Sequence, residues 1–139
     1  MSFFVVIDTN VLVSAMLKWN SPPGTVLKFA FDGTITAIFN NIILEEYRQV
    51  LGRPKFKLPA DIIDTVINHL ENKGLMLNGE KSDIQLPDPG DSIFYEVVLA
   101  KRKTDETYLV TGNTKHFPTE PFVVTPRKMV DIITGKPTR

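Results

Sequence analysis

The chain has 139 residues, 42 % of them apolar and 23 % charged, which are the proportions of one ordinary globular domain and exclude a disordered chain. Sixteen Lys+Arg against 16 Asp+Glu leave no formal net charge, so a bulk electrostatic grip on nucleic acid or an anionic membrane is excluded and any such contact must be local. No cysteine is present, which removes disulfides, thiolate catalysis and Cys-based zinc or iron–sulfur sites, and fits a reducing cytoplasm.

The first residues carry no basic segment, and the apolar run Phe3–Ile7 is too short for a signal peptide or a spanning helix. A cytoplasmic protein with no membrane partner is the expectation. Phe3–Ile7 is β-branched and aromatic, and reads as a strand buried on both faces. Asp8-Thr9-Asn10 then caps a helix through Leu17. Pro22-Pro23 opens a second helix that Asp32-Gly33 ends. Thr36–Phe39 is the second strand. Asn40-Asn41 starts a helix to about Leu51, which Gly52-Arg53-Pro54 stops.

Leu58-Pro59 opens a helix with Ile62, Ile63, Val66, Ile67 and Leu70 on one stripe, closed by Gly74. Residues 75–86 are mixed, with a short edge segment the only element expected. Pro87-Asp88-Pro89-Gly90-Asp91 punctuates the chain before a helix to about Arg102. Strands follow at Thr107–Val110 and Phe122–Thr125, and Thr125-Pro126 caps a last helix through Ile133. One domain over residues 1–134 and a short tail over 135–139 are expected. Strands separated by helices predict an α/β fold, a central parallel sheet with helices on both faces.

In such sheets, sites form beyond the carboxyl ends of the strands. Asp8 follows the first strand and Asn113 follows the Thr107–Val110 strand, so both belong to one sheet edge. Glu46 has Ile42, Ile43 and Val50 among its helical neighbours and borders the core. Glu45 sits on a solvated face within reach of Arg48. Each acid has a plain structural alternative: Asp8 and Asp88 as helix caps, Glu46 and Asp91 as first-turn acids. Convergence of Asp8, Glu46 and Asp91 is harder to explain by capping. Two carboxylates about 4 Å apart repel by roughly 4 kcal/mol at an effective dielectric near 20. A divalent cation such as Mg²⁺ or Mn²⁺ offsets that charge.

The segments Val5-Val6-Ile7-Asp8-Thr9-Asn10-Val11, Leu44-Glu45-Glu46-Tyr47, Asp88-Pro89-Gly90-Asp91 and Val110-Thr111-Gly112-Asn113 resemble, in order and spacing, the signature blocks of the PIN-domain ribonucleases. Arg53-Pro54-Lys55-Phe56 and Thr111-Gly112-Asn113-Thr114-Lys115-His116-Phe117-Pro118 resemble in particular the toxin components of prokaryotic toxin–antitoxin pairs. The resemblance implies a single PIN-like domain that hydrolyses RNA with Mg²⁺ or Mn²⁺. It implies Asp8, Glu46 and Asp91 as catalytic metal ligands, with Asn113 where many members carry a fourth Asp. Thr9 and Asn10 are implied supporting groups, and Asp88 and Glu96 are further supporting acids near the cleft, Glu96 on account of its apolar helical neighbours Ile93, Leu99 and Ala100. An RNA substrate, an antitoxin protein and a homodimer are the implied partners.

With zero net charge, RNA must be held by local cations. Arg53, Lys55 and Lys57 form one cluster and Lys101–Lys103 another. Lys115 and His116, beside Asn113, are the expected phosphate contacts. His69 reads as a surface or core-edge residue, and Trp19 and Tyr47 as packing aromatics. A dehalogenase-type phosphotransferase needs a second Asp where Asn10 stands, and a receiver domain fits the acid spacing poorly. A catalytically degenerate PIN domain that binds RNA or protein is the competing reading, kept open by Asn113.

Overall fold

A computed structural model describes residues 3–136. Strand β1 (Phe3–Ile7) is followed by helices α1 (Thr9–Leu17) and α2 (Pro22–Asp32). Next come strand β2 (Ile35–Phe39) and helices α3 (Asn41–Leu51) and α4 (Ala60–Lys73). Strand β3 (Leu75–Met76), helix α5 (Ser92–Arg102), strands β4 (Thr107–Val110) and β5 (Val123–Val124), and helix α6 (Pro126–Thr134) complete the fold. Short 3-10 turns occur at Pro54–Phe56, Pro89–Asp91 and Thr114–His116.

The strands form one sheet in the order β3-β2-β1-β4-β5, with every pairing parallel. Val5 and Val6 are both fully buried. Adjacent strand residues point to opposite faces, so the sheet is covered on both sides as expected. Helix α5 packs on β1, β2 and β4, while α2 packs on β2 and against α6.

The local signals of the sequence act where they stand. The Ser21 hydroxyl accepts from the Gly24 N–H at the start of α2, Asn40 accepts from Ile43 N–H at the start of α3, and Thr125 accepts from Lys128 N–H at the start of α6. Each satisfies a donor that the first helical turn leaves unpaired. Val26, Leu27 and Ala30 of α2 and Ile63, Val66, Ile67 and Leu70 of α4 are buried in this chain's own core, whereas Ile62 of the expected α4 stripe is 42 % exposed.

The expected edge segment is β3. Leu75 and Met76 are 38 % and 43 % exposed and pair with Ile38 and Phe39, so the strand carries no burial pattern. Its entry depends on Gly74, where a Cβ would lie 2.3 Å from the Phe39 ring and 2.6 Å from the Ala37 carbonyl oxygen. Any other residue there pushes β3 off the sheet. Of the tail expected over 135–139, residues from 137 onward lie outside the described residues, as do Met1 and Ser2. Among the described residues, no helix is long and apolar enough to cross a membrane.

The chain steps outward from β1 to β2 and β3, then returns across to β4 and β5. The reversal lies between β1 and β4, and Asp8 and Thr111 follow directly on those two strands. A parallel sheet opens a crevice at such a switch point, because the connections on its two sides leave in opposite directions.

Candidate active site

A cleft of about 340 Å³ occupies this end of the sheet. Asp8, Thr9 and Asn10 enter it from the end of β1, Glu46, Gln49 and Val50 from α3, and Asp88, Gly90 and Asp91 from the turn before α5. Arg53 and His116 complete its wall. A larger groove of about 480 Å³ is lined by Arg102, Lys103, Glu106, Tyr108 and Phe122, at the opposite end of β4, and gathers no comparable set of acids.

Asp8 stands at the head of α1, yet its carboxylate makes no capping bond to that helix. Instead the Thr111 hydroxyl donates to Asp8 Oδ2 at 2.7 Å and itself accepts from the Asn113 N–H at 3.1 Å. The Asp8 N–H donates to the Val110 carbonyl at 2.9 Å, so backbone and side chain both tie Asp8 to the end of β4. Burial raises the Asp8 pKa above the usual carboxylate value, and the Thr111 hydrogen bond opposes that rise.

Glu46 accepts a short hydrogen bond from the Thr9 hydroxyl. It lies in the second turn of α3 rather than the first, so the helix dipole does not explain an acid there. Beside it Tyr47 is buried and donates from its hydroxyl to the Ile7 carbonyl, anchoring α3 to the end of β1. Tyr47 is therefore a packing residue. Arg48 pairs with Asp64 of α4 rather than with Glu45.

Asp88 takes the capping role: its Oδ1 accepts from the Gly90 N–H at 2.9 Å. Asp91 heads α5 without a capping bond of its own. Its pKa is pushed up to about 6, first by burial and then by the like charges of Asp8 and Asp88, with a smaller push from Glu46 and an opposing pull from His116. These acids therefore feel one another across the cleft.

His116 bridges two segments. Its Nδ1 is 3.4 Å from Asp91 Oδ2, and its Nε2 is 2.9 Å from the Asn113 side-chain nitrogen. Asn113 is thus engaged with His116 and does not line the cleft with Asp8, Glu46 and Asp91. Lys115 is exposed and also lies outside the cleft wall.

Glu96 does not support the cleft. Its Oε2 accepts from the Ser82 N–H at 3.0 Å, and Gly79 packs against its backbone. It stands about one and a half turns along from Asp91, which carries it roughly 140° round the helix and away from the acids. The apolar neighbours that suggested a site role face the crossover before α5 instead. His69 packs edge-on against Phe31, a core-edge position.

Two contributors were not singled out among the expected site groups. Thr111 looks like an ordinary strand-end threonine, and only the parallel pairing of β1 with β4 brings it to Asp8. Gln49 projects from the same helix as Glu46, three residues on, a spacing that places it on the same face.

A family model described as PIN domain matches residues 4–115. This chain belongs to the PIN-domain family. No curated protein and no solved structure matches it significantly. PIN domains are generally nucleases, and they typically use divalent metal ions.

Among the described residues, no group of three or more His, Asp or Glu side chains is gathered closely enough to hold a metal ion. The donor set nonetheless suits such an ion. The acids of the cleft offer hard oxygen atoms, and burial together with the like charges of Asp8 and Asp88 raises the Asp91 pKa. In this PIN domain Asp8, Glu46 and Asp91 line one cleft, together with Asp88.

Proposed function

We propose that the chain is a divalent-metal-dependent ribonuclease that hydrolyses RNA phosphodiester bonds, working as the toxin of a toxin–antitoxin pair. The observation that carries the nuclease reading is the convergence of Asp8, Glu46 and Asp91, from three separate parts of the chain, on the switch-point cleft of a PIN domain. The toxin role rests on the resemblance of the Arg53–Phe56 and Thr111–Pro118 segments to that subgroup.

Asp8, Glu46 and Asp91 would hold Mg²⁺ or Mn²⁺. The ion, when bound, acidifies water and offsets charge on a phosphodiester. Thr111 and Thr9 hold Asp8 and Glu46 in fixed orientations by their hydroxyl donors. Asp88 shapes the turn that presents Asp91. His116 keeps the Asp91 carboxylate turned toward the segment after β4.

A titration with Mn²⁺ by calorimetry, beside cleavage of a mixed RNA pool, tests this reading on the wild type and Asp8→Asn. The expected result is metal binding and cleavage in the wild type, with both lost in Asp8→Asn. A wild type that neither binds Mn²⁺ nor cuts RNA refutes it. The engagement of Asn113 with His116 favours a second reading, a PIN domain that binds RNA without cutting it, which predicts RNA binding without cleavage.

A further inference from the structure

We infer that Arg53 is the phosphate-binding residue of the cleft, and that with Gln49 and Val50 at the end of α3 it forms the wall along which the RNA backbone lies. The inference rests on the ribonuclease reading above for its choice of ligand. Several cations flank the site in sequence, but Arg53 is the Lys or Arg that lines the cleft. The others are placed or occupied elsewhere. Lys55 lies over the Phe56 ring, Arg48 pairs with Asp64, and Lys101 pairs with Asp105.

Arg53 is set in place by backbone geometry. Its N–H donates to the Val50 carbonyl at 3.2 Å, and its own carbonyl accepts from the Phe56 N–H at 3.0 Å. Phe56 is partly buried against the core and anchors the turn. The side chain is thus delivered to the cleft rim by a braced turn rather than a loose loop. Among the described residues, Arg53 makes no ion pair with any of the acids it faces. A guanidinium beside so much negative charge, yet not consumed by it, remains free for an anionic ligand.

The chemistry fits a phosphodiester. A guanidinium presents two parallel N–H donors to two phosphate oxygens, and it stays charged at every pH at which RNA is stable. Gln49 adds an amide donor and acceptor suited to a ribose hydroxyl or a base edge, and Val50 an apolar surface beside it. Lining the same cleft as Asp8 and Asp91, this wall would hold a phosphate that the acids alone would repel. In a chain of zero net charge, such a contact supplies what the whole molecule does not.

The test is fluorescence anisotropy of a short labelled single-stranded RNA of mixed sequence across a salt series. It compares the wild type, Arg53→Ala and Arg53→Lys, with Lys103→Ala as a control for loss of one positive charge, and runs Mn²⁺ calorimetry beside it. Arg53→Ala is expected to weaken RNA binding about tenfold and to flatten the dependence of log affinity on log salt by about 0.7. Arg53→Lys keeps the salt slope and recovers part of the affinity. Lys103→Ala behaves as wild type, and Mn²⁺ affinity does not fall in any variant. An unchanged affinity and slope in a folded Arg53→Ala overturns the inference alone. RNA binding that depends on Arg53 without cleavage supports it and refutes the nuclease reading. A wild type that binds no RNA overturns both.

Discussion

Thr111 shows how one hydroxyl can set the orientation of a reactive group. It is fully buried, donates to Asp8 Oδ2 and accepts from the Asn113 N–H. Thr111→Val keeps the shape and removes both bonds. A buried acceptor left without its donor costs about 1–3 kcal/mol, which lowers Tm by a few degrees. Asp8 then holds its proton to higher pH, so Mn²⁺ affinity near neutral pH is expected to fall about tenfold. Melting curves in EDTA and calorimetry with Mn²⁺ measure the two effects separately. Unchanged values in both would show that Thr111 is only a strand-end residue.

Between β3 and α5 the chain runs without regular structure over residues 77–88, and this crossover carries Asp88 and delivers Asp91. It is strapped to α5 by the Ser82–Glu96 hydrogen bond and by close contact at Gly79. A Cβ at residue 79 would lie 2.5 Å from both the carbonyl carbon and oxygen of Glu96. These are backbone atoms within a helix and cannot move aside, so the crossover must lift. Gly79→Ala is expected to destabilise by about 1–3 kcal/mol and to speed proteolytic cleavage within residues 77–88. Limited proteolysis with timed sampling would show it, and wild-type cleavage rates would remove the strap from the account. The acidic wall of the cleft is thus held by contacts on the far side of α5.

At the scale of the molecule, the acids are expected to make stability depend on pH, and on the metal of the proposed function. The folded-state pKa of Asp91 is raised to about 6 and that of Asp8 is raised as well. A raised carboxyl pKa means that the folded chain binds the proton more tightly than the unfolded one. Its stabilising effect is complete below the unfolded value and is lost as pH rises through the folded value. The metal-free protein is therefore expected to melt lower at about pH 7 than at about pH 5. Asp91→Asn flattens that fall. Mn²⁺ removes it by replacing the proton, and at about a hundred times its Kd adds about 2.7 kcal/mol. Thermal melts across this range, with EDTA and with Mn²⁺, provide the measurement. A melting temperature that rises toward neutral pH in EDTA would contradict the raising of these pKa values by burial and like charge.

Most of the architecture was legible in the chain itself because its signals are local. The continuous apolar run Phe3–Ile7 demands burial on two faces, and the Ser21, Asn40 and Thr125 caps and the Pro22-Pro23 start act within a single turn. Order and spacing of the acidic segments likewise pointed to the PIN family. Strand β3 was only faintly visible, since two half-exposed residues held by backbone pairing leave no hydrophobic pattern. Side-chain direction was the harder matter. Glu96 has apolar neighbours as Glu46 does, yet the rotation of α5 turns it to the crossover, while α3 turns Glu46 to the cleft. Asn113 and Lys115 adjoin the site in sequence but lie outside the cleft wall, whereas Arg53, remote from Asp8 along the chain, lines it. Local chemistry determined which elements form and in what order. Only the closing of β4 against β1, with α3 and α5 packed about them, decided which polar side chains share a space, because that depends on contacts between residues far apart in the chain.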